Sequence, residues 1–108
     1  MSHLRTATLA LRADYEEDAV CVVLFGELDI ASSRELGRAL RDAVARNDRV
    51  VVDLSGLDFT DSAGVAVLIE ADLHARLAGR VLEILRGPRH VHRVFELCRV
   101  VGQLPFTG

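Results

Sequence analysis

The sequence contains no lysine: all 13 of its Lys and Arg positions are arginine. A P-loop, a Schiff-base site and a kinase-type catalytic lysine all need a lysine ammonium, so none of these chemistries can be built here. Cysteine is scarce. Cys21 and Cys98 lie far apart without metal-ligand spacing. Both stand in apolar stretches, which predicts two buried small hydrophobes and no disulfide. No apolar run approaches the ~20 residues of a membrane span, and Met1-Ser2-His3-Leu4-Arg5 lacks the apolar region of a secretory signal. A cytoplasmic chain without membrane insertion is expected. The net charge is −3 with acids and bases interspersed, so no nucleic-acid partner is expected, since such a surface is usually basic and clustered.

What is present suits one domain over residues 1–108, with a core of about 7–106. Half of the residues are hydrophobic, enough for one core. Thr6 to Ala13 alternates apolar and polar, predicting a half-exposed edge strand. A polar turn over Asp14-Tyr15-Glu16-Glu17-Asp18 follows. Ala19 to Phe25 is valine-rich and continuous, as in a strand buried on both faces, ended by Gly26. Ser32-Ser33-Arg34-Glu35 has capping-box spacing before a helix reaching about Arg46. Arg49 to Leu54 predicts a third strand, and Ser55 to Thr60 a loop. A second helix is expected from about Ser62 to Ala78, with Gly79 as its C-terminal glycine. Val81 to Leu85 predicts a strand. Pro88 introduces a third helix over about Arg89 to Cys98, and Gln103 to Phe106 a short last strand or tail. The order β-β-α-β-α-β-α implies an α/β fold with a largely parallel sheet and an antiparallel edge. No internal repeat, linker or low-complexity segment interrupts it.

Asp61-Ser62-Ala63-Gly64 stands at the start of the second helix. In an open α/β sheet the carboxyl ends of the strands are where ligands and partners meet the fold. Asp and Ser are preferred helix N-caps, and plain capping accounts for both residues. Ser62 also suits phosphorylation, because a helix N-terminus offers unpaired N–H groups and partial positive charge that would hold a phosphate. That term is worth about 0.3–1 kcal/mol when exposed. The modification is therefore expected to leave the helix intact and to place about −1.5 to −2 charge on the surface. A catalytic serine is the third reading. It lacks a Gly-x-Ser-x-Gly elbow, and nothing in the sequence brings His74, His90 or His92 to it. His90-Val91-His92 predicts solvated side chains and no metal, because positions i and i+2 of a helix do not share a face. Gly64-Val65-Ala66-Val67-Leu68-Ile69 is apolar nearly all round. It either packs on the sheet and another helix, or leaves part exposed beside Ser62 as a partner-binding patch. Asp72 and Arg76 pair at i,i+4 on a solvated face. Gly26-Glu27-Leu28-Asp29 emerges at the same edge as Ser62, either as acids flanking the site or as a plain polar turn.

Three segments in order, Phe25-Gly26-Glu27-Leu28-Asp29, Val50-Val51-Val52-Asp53-Leu54-Ser55-Gly56-Leu57 and Phe59-Thr60-Asp61-Ser62-Ala63-Gly64-Val65, resemble the anti-sigma factor antagonist family, the STAS domain shared with sulfate transporter tails. The resemblance spans about Leu9 to Phe106. It implies a single STAS-like domain with a mixed four- or five-stranded sheet, no enzymatic activity and no cofactor. It implies that Ser62 is phosphorylated by a partner that is both anti-sigma factor and serine kinase, and reset by a PP2C-type phosphatase. The unphosphorylated form would bind the anti-sigma factor and release the sigma factor. Asp61 matches the family aspartate and Asp29 a family acid near the site. The partner-binding surface implied is Asp29, Asp61, Ser62, Ala63, Gly64, Val65 and Leu68. The chain departs from the family at Ala63, where many members have a second serine, and at Arg80 and Arg99, where glycines are common. The rival expectation is a STAS domain serving as a non-phosphorylated scaffold or as a subunit of a membrane-transport complex.

Overall fold

Alternation along the valine-rich strands decides which side of the sheet is the core. The computed structural model describes residues 8–107. It contains β1 (Leu9–Glu16), β2 (Ala19–Leu28), α1 (Ile30–Arg46), β3 (Arg49–Thr60), α2 (Ser62–Leu77), β4 (Val81–Leu85), α3 (Arg89–Leu97), a 3-10 turn (Val101–Gln103) and β5 (Phe106–Thr107). The sheet order is β1-β2-β3-β4-β5. The β1/β2 pair is antiparallel and the other pairs are parallel. This is the expected α/β order, with five strands.

Cross-strand rows explain the burial. Val20, Val50 and Leu82 are in register, as are Val22, Val52 and Ile84, and all six are buried. The opposite face carries Cys21, Val51 and Glu83, which are only half-buried. The expectation of a β2 buried on both faces holds only in part: Val22, Val23 and Leu24 are buried in succession, but on the opposite face Cys21 is half-buried and Phe25 exposed, because no helix fully covers that face. Phe95, Leu24, Leu36, Leu40, Leu54 and Leu68 fill the interior. At about 25 cal/mol per Å² of apolar surface removed from water, each large side chain contributes roughly 1.5–3 kcal/mol.

Several boundaries differ from expectation for identifiable reasons. The polar turn shrinks to Glu17 and Asp18, because Asp14, Tyr15 and Glu16 pair with Cys21, Val20 and Ala19. Residues 6 and 7 of the expected first strand lie outside the described residues. Gly26 does not end β2, and the expected loop over Ser55 to Thr60 is strand. Pairing continues through Gly26↔Leu57, Glu27↔Phe59 and Leu28↔Thr60, with irregularities after Val23 and Gly26. Glycines sit at these bulges because backbone comes too close for a side chain. A Cβ at Gly26 (φ 93°) would overlap the Thr8 carbonyl oxygen, and one at Gly56 would meet the Leu24 carbonyl oxygen at 2.6 Å.

The first helix starts earlier than its Ser32 signal. Asp29 is the N-cap and Ser32 the N3 member of the box. The Asp29 carboxylate accepts from the N–H groups of Ala31 and Ser32 at 3.0 Å each, and Ser32 Oγ accepts from the Asp29 N–H at 3.0 Å. At the other helix ends, Gly79 has the left-handed φ of 71° expected of it, and Arg99 adopts the same region at 61° without being glycine.

Candidate functional site

Two neighbouring parallel strands end side by side and each hands over to an aspartate-capped helix. Leu28 and Thr60 are in register at the ends of β2 and β3. Asp29 and Asp61 follow them, and the Asp61 N–H donates to the Leu28 carbonyl at 3.2 Å, tying the two turns together. The Asp61 carboxylate accepts from the N–H groups of Ala63 at 2.9 Å and Gly64 at 3.2 Å. A side-chain oxygen on the N2 and N3 donors satisfies the otherwise unpaired first turn. Ile30 and Ser62 therefore occupy equivalent N1 positions on adjacent helices. Ser62 is exposed and Ile30 is 79% exposed.

This geometry keeps Asp29, Asp61, Ser62 and the half-buried Ala63 at one edge, as the sequence suggested. Two expectations are corrected. Two of the N–H donors expected to hold a phosphate on Ser62, those of Ala63 and Gly64, are already taken by Asp61, so a phosphate would lie beside a carboxylate. Gly64, Val65 and Leu68 are buried and cannot meet a partner directly, because this side of α2 faces the sheet ends. Gly64 shows how closely: a Cβ there would overlap Thr60 Oγ1 and stand 2.8 Å from Leu28 Cγ. The glycine of the tetrapeptide is a packing requirement.

The surface that α2 does present includes the exposed patch that the sequence offered as one reading beside Ser62, and it continues further along the helix than the sequence indicated. Ser62 and Ala66 are exposed, with Ile69 at 40%, Leu73 at 50% and Leu77 at 80%. At about 100° per residue these five fall on one stripe of the helix, with Ser62 at its head. A cleft of ≈ 340 Å³ between α1 and α2, lined by Ser33, Arg34, Ala63, Ala66, Val67 and Glu70 among others, runs beside it. The available signal was that α2 carries more apolar residues than one buried face needs. Asp72 is buried against that expectation, its carboxylate 3.4 Å from Arg76.

Among the described residues no histidine is hydrogen-bonded to Ser62. His74 is exposed on α2, and His90 Nε2 is 2.6 Å from the Asp58 carbonyl oxygen. His92 was expected in solvent but is buried, edge-on to Phe106 with 5.0 Å between centroids. Among the described residues no group of three His, Cys, Asp or Glu side chains is arranged to hold a metal. Both cysteines are free. Neither is fully buried as expected: Cys21 is half-buried on the uncovered sheet face and Cys98 is exposed after α3. Partial burial, with Asp53 and Asp14 nearby, pushes the Cys21 thiol pKa up. No described helix is long and apolar enough to cross a membrane.

A family model described as "Mlab, STAS domain" matches residues 11–105. The fold is similar to that of the anti-sigma factor antagonist SpoIIAA in its unphosphorylated form, at 19% identity over 92% of this chain and 89% of that one, TM-score 0.76. It is similar to an anti-sigma factor antagonist from Mycobacterium paratuberculosis, at 19% identity over 91% and 84%, TM-score 0.79. It also matches part of SLC26A9, at 12% identity over 82% of this chain and 17% of that one, TM-score 0.71.

Proposed function

This chain belongs to the STAS domain family, and from that premise we propose that it is an anti-sigma factor antagonist switched by phosphorylation of Ser62. The unphosphorylated protein binds an anti-sigma factor that is also a serine kinase, and so releases the sigma factor in the cytoplasm. Phosphorylation ends that binding, and a PP2C-type phosphatase restores it. The protein acts by binding, without catalysis of its own. The observation that carries this reading is the exposure of Ser62 at the head of the apolar stripe Ala66, Ile69, Leu73 and Leu77. Solved anti-sigma factor antagonists with this fold support it, one of them described by its phosphorylation state.

The switch follows from charge. A phosphate of about −1.5 to −2 on Ser62 joins the Asp61 carboxylate at the rim of a surface whose partner must exclude water. The partner then desolvates or repels that charge, and a loss of about 3 kcal/mol lowers affinity by roughly a hundredfold. In pull-downs with a kinase-type anti-sigma factor, we expect Ser62→Ala to bind regardless of ATP and Ser62→Asp to bind weakly. Wild type should lose binding after ATP treatment, with one phosphate added by intact mass. Equal retention of wild type, ATP-treated wild type and Ser62→Asp sinks the switch.

A second reading is favoured by the match to one segment of the much longer SLC26A9 chain. In that reading the domain is a non-phosphorylated scaffold or a subunit of a membrane-transport complex, and the same stripe is covered permanently. The kinase incubation separates the two, because a permanent contact leaves the mass unchanged.

A further inference from the structure

A second cavity, at the start of α3, is built quite differently from the stripe on α2. It has a volume of ≈ 420 Å³ and is lined by Arg86, Gly87, Arg89, His92, Arg93 and Glu96. We propose that it binds a phosphate group, carried by a soluble phosphate compound or by a lipid headgroup.

Three independent features converge. Arg86, Arg89 and Arg93 surround one cavity in a chain whose net charge is −3, against the single carboxylate of Glu96. None of the three is ion-paired among the described residues, so no described carboxylate neutralises them there. Arginine presents a planar fork of donors suited to phosphate oxygens. The second feature is the N-terminus of α3, which has no side-chain cap because its N-cap is Pro88. The N–H groups of Val91 and His92 return to the Pro88 carbonyl, at 3.0 and 2.9 Å. Those of Arg89 and His90 are first-turn donors without an acceptor in the helix, at its positive end. The third feature is His92 itself. Its side chain lines the cavity although the residue is only 7% exposed, and its Nδ1 has no hydrogen-bond partner. An unpartnered buried nitrogen is costly, and His92 is the buried polar side chain in the lining of this cavity.

Gly87 makes the approach possible. A Cβ there would stand 2.7 Å from the Leu54 carbonyl oxygen, so the backbone at Gly87 lies close against β3 beside the cavity it lines. The site involves no residue of the α2 stripe, so it stands or falls separately from the switch at Ser62.

The test is a titration of the full chain with inorganic phosphate at constant ionic strength, followed by NMR of backbone amides and histidine rings. Saturable shifts centred on Gly87, Arg89 and His92 are expected. Arg89→Ala and Arg93→Ala, both at exposed positions, should each weaken binding by about tenfold or more, and Arg38→Ala on α1 should not change it. Shifts that never saturate, or equal affinity in Arg89→Ala, Arg93→Ala and wild type, overturn the proposal. Phosphatidylcholine vesicles containing phosphatidic acid give the second arm. Sedimentation with them that both variants lose assigns the headgroup; saturable phosphate binding without sedimentation assigns a soluble compound.

Discussion

Gly64 and the two cysteines show how much of the behaviour of single residues is set by what surrounds them. A methyl group at Gly64 would overlap Thr60 Oγ1 and crowd Leu28, both of which are buried. Gly64→Ala should therefore destabilise by roughly 1–3 kcal/mol, although alanine is the better helix former. Thermal unfolding should show a drop of several degrees, since 1 kcal/mol shifts a domain of this size by about 4–8 °C. A raised melting temperature would mean that the first turn of α2 is not clamped between the strand ends. The cysteines differ in a measurable way. Thiolate is the reactive form, and the pKa of Cys21 is raised by partial burial and by Asp53 and Asp14, whereas Cys98 is exposed. Alkylation of the folded protein at mildly alkaline pH should modify Cys98 first, as peptide mapping would report.

At the scale of elements, α2 separates two duties by face. Val65, Leu68, Ala71 and Ala75 hold it to the core, while Ala66, Ile69, Leu73 and Leu77 are exposed. A charge placed on the outer face should then affect binding and not folding. Leu73→Glu should leave the melting temperature within about 0.5 kcal/mol equivalent of wild type, as exposed substitutions usually do. It should weaken anti-sigma factor binding by tenfold or more in a quantitative pull-down, as loss of an apolar anchor does. Unchanged binding would move the interface off this face. The helix itself was legible: the Asp61 start and Gly79 end both stand as the pattern indicates. Its orientation was not. Apolar residues nearly surround Gly64 to Ile69, so periodicity alone could not say which side the sheet would take. The same limit hid the start of α1, where Asp29 outcompetes Ser32 as N-cap because β2 runs on to Leu28.

The whole molecule decides what a phosphate at Ser62 does to stability. The N–H groups of Ala63 and Gly64 in the first turn of α2 are occupied by Asp61, so a phosphate gains little from them and meets a neighbouring carboxylate. Ser62 is exposed and outside the core, and the positive end of the helix partly offsets that repulsion. Phosphorylation should change stability by less than about 1 kcal/mol, so calorimetry of the two forms should show melting temperatures within a few degrees. A large drop would mean that the modification acts by unfolding α2 instead of by surface charge. The sequence by itself determined the element order, the mixed sheet with an antiparallel edge, and the place of Ser62 at a helix start. These follow from local periodicity, caps and turn residues, which need no distant partner. Tertiary structure alone decided that β2 and β3 continue through glycine bulges and that Gly64, Val65 and Leu68 lie inside. It also set the exposed stripe below Ser62 and gathered Arg86, Arg89, Arg93 and a buried His92 around one cavity. Each of these depends on which faces of separate elements meet, and burial is settled between elements, not within them.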